Sequence, residues 1–323
     1  LIRPYFLLQL ASLVFVMLFN SFKQFADGIT DTKTPMYIMI SANLVNIAGN
    51  YILIYGKFGL PALGVVGAGI STLTARILMF AAFAVYRSLR YRRYLVGYKR
   101  GKYNFTDILS LNKMGWMVGL QMGLETALFS ITGIMIGWLG SIALAAHQVV
   151  VAISTLGFMI YYGVGAAVSV RVSNYFGRQD LLHVRRTTMA GFHLILCLAV
   201  CACTVFLFSR ELIGYLFTTS EEVIRVVSTL VYILLAYQFG DALQITYANS
   251  LRGIGDVISM AVISFIGYFL IAMPVCYICG FVLEWGITGI WIGYPIGLTL
   301  TGVMLCGRYY WKLKTKTQSK EFY

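Results

Sequence analysis

Apolar residues in this chain gather in long runs broken by short polar stretches, and nine of the runs fall near residues 5–25, 36–55, 64–86, 116–139, 145–170, 189–208, 223–248, 257–281 and 287–308. About 20 residues of α-helix cross the roughly 30 Å of bilayer hydrocarbon. The pattern therefore predicts an all-α polytopic membrane protein with nine spans. Composition agrees: 59% hydrophobic residues, 11% charged residues and a mean hydropathy of +0.79 do not describe a water-soluble domain.

The net charge of +13 raises the question of nucleic acid, which needs basic residues clustered on a polar domain. No such domain remains once the runs are marked out. If successive loops alternate sides, one set collects Lys33, the arginines and lysines from Arg87 to Lys113, then Arg171, Arg178, Arg185, Arg186, Arg252 and the lysines after Arg308. The opposite set holds Arg3, Lys57, Arg210 and Arg225. The positive-inside rule makes the first set cytoplasmic, with the carboxyl end inside. Charge thus reports topology, and nucleic acid is excluded as a partner.

Two short motifs recur. "GITD" at Gly28 stands 225 residues before "GIGD" at Gly253, and "LGVVGAGI" at Leu63 stands 222 before "WGITGIWI" at Trp285. Each pair keeps its place relative to the runs, which implies duplicated halves. Spans one to three then match spans seven to nine. The expected organisation is the last three helices of an amino-terminal bundle (1–86), a cytoplasmic linker (87–113), a complete six-helix bundle (114–309) and a basic cytoplasmic tail (310–323). On this reading about 110 residues, three helices, are missing in front of Leu1. The chain opens "LIRPYFLLQL", with neither a methionine nor the charged start of a signal peptide.

Against this apolar background, Glu125 and Asp241 are the two acids that fall deep within runs. A carboxylate at mid-bilayer costs about 2.5–3.5 kcal/mol, and such residues commonly mark ion or proton paths. Gln121 stands four residues before Glu125; Tyr237 stands four before Asp241 and Gln244 three after it, so each acid heads a polar stripe on one helical face. The bland alternative is pairing with an intramembrane base, for which Arg76 is the candidate. Asn43, Asn46 and Asn50 share a face of the second span, as cavity lining or as interhelical hydrogen-bonding groups. The six cysteines all lie in apolar runs, and Cys276-x-x-Cys279 reads as a packed pair rather than a metal or redox site.

Carboxylates held away from water can pass a proton from one side to the other, or can ligate Na⁺ together with the Tyr237 hydroxyl. Either ion moving inward releases about 2.3 kcal/mol per charge per 100 mV, enough to drive export of another solute. An anionic site also attracts cationic amphiphiles, so that ion and solute compete for one charge.

Three stretches, "DGITDTKTPMYIMISANLVNIAGNYILIYGKFGLPALGVVGAGISTL", "LETALFSITGIMIGWLGSIALAAHQVV" and "YQFGDALQITYANSLRGIGD", together resemble the multidrug and toxic compound extrusion (MATE) family, its NorM-like bacterial branch in particular. The resemblance implies a two-bundle transporter fold with nine of twelve helices present. It implies an antiporter that exports organic cations in exchange for Na⁺ or H⁺ by alternating access. The setting is a multi-pass monomer in the bacterial inner membrane, with no other cofactor and no catalytic residue. It also implies that Glu125, Asp241 and Tyr237 form the cation site, with Gln121, Gln244, Asn43, Asn46 and Arg76 as cavity lining. A lipid-linked oligosaccharide flippase of the same superfamily would need a cationic cavity, and a truncated chain would be inactive. A membrane-embedded enzyme lacks support: HExxH and GxSxG are absent, and His147, His183 and His193 show no acid at helical spacing.

Overall fold

The computed structural model describes residues 2–59, 61–91 and 104–321, with side chains from Arg3 to Lys316. Two compact units emerge, Leu1–Asn104 and Phe105–Tyr323. The first contains α1 (Ile2–Gly28), α2 (Lys33–Tyr55) and α3 (Gly64–Arg90). The second contains α4 (Phe105–Gly137), α5 (Ser141–Gly177), α6 (Leu181–Phe208), the short α7 (Arg210–Phe217), α8 (Glu221–Gly253), α9 (Val257–Val282) and α10 (Gly286–Glu321). Nine helices among the described residues are long and apolar enough to cross a membrane.

Helices extend past the apolar runs at both ends. α4 begins at Phe105, so the segment expected to link the halves is helical from there, while its residues 92–103 lie outside the described residues. Helix α10 runs on to Glu321, so the basic tail continues the last span as helix. The eight-residue α7 occupies what reads in the sequence as loop.

The two copies of the aspartate motif fold alike. At the end of α1, Thr30 has φ +67° and the Asp31 amide donates to the Ala26 carbonyl at 2.9 Å. At the end of α8, Gly255 has φ +77° and the Asp256 amide donates to the Leu251 carbonyl at 3.0 Å. A third copy ends α5, where Gln179 has φ +60° and the Asp180 amide reaches the Tyr175 carbonyl at 3.0 Å. A left-handed residue followed by an amide that folds back onto the helix closes off carbonyls that would otherwise be orphaned. Each aspartate then accepts from the first turn of the next helix: Asp31 from the Thr34 amide at 3.2 Å, Asp180 from the His183 amide at 3.1 Å, and Asp256 from the Ser259 hydroxyl at 2.9 Å.

Inside the first unit, α3 packs on both α1 and α2, with Phe19 edge-on to Phe83 at 5.7 Å. In the second, α8 is the central element, packed against α5, α6 and α10. Its Leu230, Leu234 and Tyr237 join Trp291, Tyr294 and Leu298 of α10 in one buried cluster. Small residues allow close helix approach in lipid, where packing rather than water exclusion drives association. On α10, a Cβ at Gly289 would sit 2.2 Å from the Cys279 carbonyl oxygen. One at Gly293 would sit 2.3 Å from the Cys276 sulfur. Cys276 is therefore packing material, and all six cysteines are free thiols.

Helix α9 is wound unevenly, with wide π turns at Ile266–Ala272 and Ile278–Val282. Pro274 has no amide proton to give, and just before it the Met273 amide reaches back five residues to the Tyr268 carbonyl. The loss of a donor and the wider register go together.

Candidate functional site

Glu125 and Asp241 both belong to the second unit. On α4 the Gln121 amide nitrogen donates to Glu125 Oε2 at 3.2 Å, as a one-turn spacing predicts. On α8, Asp241 is completely buried, with Tyr237 one turn before it almost completely so. Glu125 lies near enough to Asp241 and Tyr237 for a charge on it to act on both. Gln244 Nε2 donates to the Tyr268 hydroxyl of α9 at 2.6 Å. Gln244, Gln121 and Tyr268 all lie against the Glu125 carboxyl. Three helices thus converge on the two acids, and the wide turn of α9 is the segment that supplies Tyr268.

A cavity of about 280 Å³ opens beside them, lined by Glu125, Tyr237, Phe129, Phe158, Met122 and Ser154 among others. Glu125 is the one charged residue of the lining among the described residues. Tyr237 forms part of the wall, with Tyr294 edge-on at 6.5 Å. Behind this wall, neither carboxylate oxygen of Asp241 has a hydrogen-bond partner among the described residues. The same holds for both amide atoms of Gln238 and for the Tyr161 hydroxyl. Gln238 and Tyr161 face each other across Gly157, whose missing side chain leaves them room. Buried polar groups are ordinarily satisfied, and an ionised carboxylate without donors is especially costly. These buried oxygens therefore lack the donors that groups of their kind ordinarily have.

Neither acid forms an ion pair among the described residues. Arg76, weighed in the sequence as a base for them, is held within its own unit by Gln9 Oε1 at 3.4 Å and by the Ser12 hydroxyl. Asn46 donates to Ser71 and Thr72 of α3, both at 3.4 Å, which is the interhelical bonding role, and it accepts from Asn50 of its own helix at 3.3 Å. Asn43 is exposed.

Arg252, expected in a loop from where the apolar run ends, lies in the last turn of α8. Its Nη2 donates to Gln121 Oε1 at 3.3 Å, so a basic group stands one residue removed from Glu125. The spacing Tyr237, Asp241, Gln244, Arg252 on one face carried that signal. Tyr268, Gln238 and Tyr161 carried none, being ordinary residues for an apolar run. Contrary to the expectation from sequence, His183 has an acid at helical spacing, since Asp180 Oδ2 lies 2.6 Å from its Nδ1. That pair caps a helix and is remote in sequence from both membrane acids.

The MatE family model matches residues 1–52 and 117–278. Among curated proteins, the multidrug resistance protein NorM of Photobacterium profundum is 34% identical over 316 residues, covering 95% of this chain and 68% of that protein. NorM of Vibrio parahaemolyticus is 36% identical over 301 residues, covering 91% and 66%. This chain thus spans about two thirds of the length of these relatives. Among solved structures, a MATE protein in complex with MaL6 superposes with a TM-score of 0.87 at 17% identity, over 98% of this chain and 70% of the other. The Vibrio cholerae transporter VcmN in its bent form gives 0.86 at 17% identity, over 97% and 70%. At such identities the structural matches speak to the fold.

Proposed function

This chain belongs to the MatE family of multidrug efflux transporters, and from that premise we propose that it is the ion-coupled part of a secondary antiporter. In this reading organic cations leave the cell in exchange for Na⁺ or H⁺ by alternating access at the bacterial inner membrane, with the carboxyl end cytoplasmic. The observation that carries it is Asp241: a fully buried carboxyl whose two oxygens find no donor, within reach of the charge of Glu125.

Such a group is stable when it holds a proton or a cation and unstable when it holds neither. Loading from the outer side and unloading to the inner side would let the membrane potential contribute about 2.3 kcal/mol per charge per 100 mV. Glu125 has the complementary position. It faces the apolar, aromatic cavity, where a cationic amphiphile would find both greasy walls and a countercharge. Gln121 and Gln244 orient its carboxyl, and Tyr268 and Arg252 buttress the two amides. Because the charges of Glu125 and Asp241 repel, a cation arriving at one eases ionisation of the other, the linkage that exchange requires. That the cavity beside the two acids is lined by an acid and, among the described residues, by no lysine or arginine supports a cationic over a pyrophosphate-bearing substrate.

Transport measured in proteoliposomes under imposed Na⁺ or H⁺ gradients tests the proposal. Asp241→Asn should abolish gradient-driven ethidium movement while leaving ethidium binding. Export at the wild-type rate by that variant would refute the assignment.

A further inference from the structure

Away from the acids, α5 and α6 leave a second cavity of about 380 Å³ between them. Its walls are two stripes at helical spacing: Val164, Ala167, Val168, Arg171 and Tyr175 on α5, and His183, Arg186, Thr187, Ala190, Gly191 and Leu194 on α6. The stripes are sorted by chemistry. From Arg171 to Val164, about 10 Å of helix at 1.5 Å per residue, the lining is wholly aliphatic on α5, and Ala190, Gly191 and Leu194 continue it on α6. At the other end stand Arg171, Arg186, His183 and Tyr175.

Two arginines against one nearby acid leave that end net positive. Asp180, the acid whose charge reaches Arg186, is already engaged by the His183 amide and by its Nδ1 at 2.6 Å, and the His183 ring stacks on Tyr175 at 5.1 Å. Neither Arg171 nor Arg186 joins an ion pair among the described residues. Arg185 lies over Tyr310 and Lys316 over Phe176, so the basic end of α10 gathers at the same end of the unit. A greasy slot with a two-arginine mouth, at the face read as cytoplasmic, is complementary to an anionic lipid.

We propose that this groove is a binding site for an anionic phospholipid of the cytoplasmic leaflet, with its phosphate between Arg171 and Arg186 and one acyl chain lying toward Val164 and Leu194. The inference does not rest on the transport reading. Native mass spectrometry of the purified chain in nonionic detergent tests it, with phosphatidylglycerol, phosphatidylcholine and glycerol 3-phosphate as probes. Phosphatidylglycerol should bind at least tenfold more tightly than phosphatidylcholine, and Arg171→Gln/Arg186→Gln should remove that preference. Arg171→Lys/Arg186→Lys should retain most of it, which separates lost charge from lost folding. Ala190→Phe, which fills the slot and spares both arginines, should weaken phosphatidylglycerol severalfold. Wild-type lipid binding by the Gln double variant or by Ala190→Phe would overturn the proposal. So would displacement of the lipid by an equal concentration of glycerol 3-phosphate, which would mark a soluble phosphate site.

Discussion

The aspartates at the helix ends and the aspartate inside α8 are one residue type in opposite circumstances. Asp31, Asp180 and Asp256 sit in three copies of one turn, each accepting hydrogen bonds from the next helix. Burial opposes the charge of Asp31, yet hydrogen bonds from Tyr91 and Thr34 and the charge of Arg90 outweigh it and hold its carboxyl below the usual value. Burial likewise opposes the charge of Asp256, and Arg308, Ser259 and Lys312 outweigh it. Asp241 has burial and a repelling neighbour, with nothing to offset either. Partners, rather than depth alone, separate an acid that fastens helices from one that needs an ion.

The largest test of this contrast exchanges function for stability. Asp241→Asn should reduce gradient-driven transport by about 100-fold or more and leave thermal unfolding in detergent unchanged or raised, since no bond is lost with the charge. Asp256→Asn should do the reverse. Removing the carboxylate charge that receives the 2.8 Å bond from Arg308 Nε should cost about 2 kcal/mol of stability, with transport within twofold of wild type.

A pH series sharpens the same comparison. Because Asp256 is held below its ordinary value of 3.8 in the folded state, its contribution is fully present above that value and fades as pH falls through the folded-state value. The melting temperatures of wild type and Asp256→Asn should therefore differ at neutral pH and converge in strong acid. A constant gap would show that the carboxylate is not the source. Smaller again, Tyr91→Phe removes a hydrogen bond to Asp31 and should cost about 1 kcal/mol. Smallest is a gain: Thr30 is β-branched at φ +67° where its counterpart is Gly255, so Thr30→Gly should stabilise by up to about 1 kcal/mol.

Much of this was legible in the sequence for a simple reason. The bilayer forces apolar residues into runs of fixed length, so the nine helices were countable. Helical spacing likewise placed Gln121 with Glu125, and Tyr237 and Gln244 with Asp241. What spacing cannot give is a neighbour from another helix. Tyr268 is bonded by Gln244 from a stretch of α9 that widens before Pro274, and Tyr161 and Gln238 both lie against Gly157, which lacks a side chain. Helix ends are hidden where they leave the apolar run, so the run places Arg252 in a loop although it belongs to the last turn of α8. The short α7 was missed because eight amphipathic residues make too brief a pattern.

The widened winding of α9 has a mechanical consequence. A π turn carries one residue more than the surrounding spiral needs, so tightening it locally, and passing the surplus along, rotates the intervening side chains by about 100° with little loss of backbone bonding. Tyr268 lies on such a stretch. A helix wound this way can turn one phenol toward or away from the acids while both of its ends stay anchored, a swivel rather than a hinge.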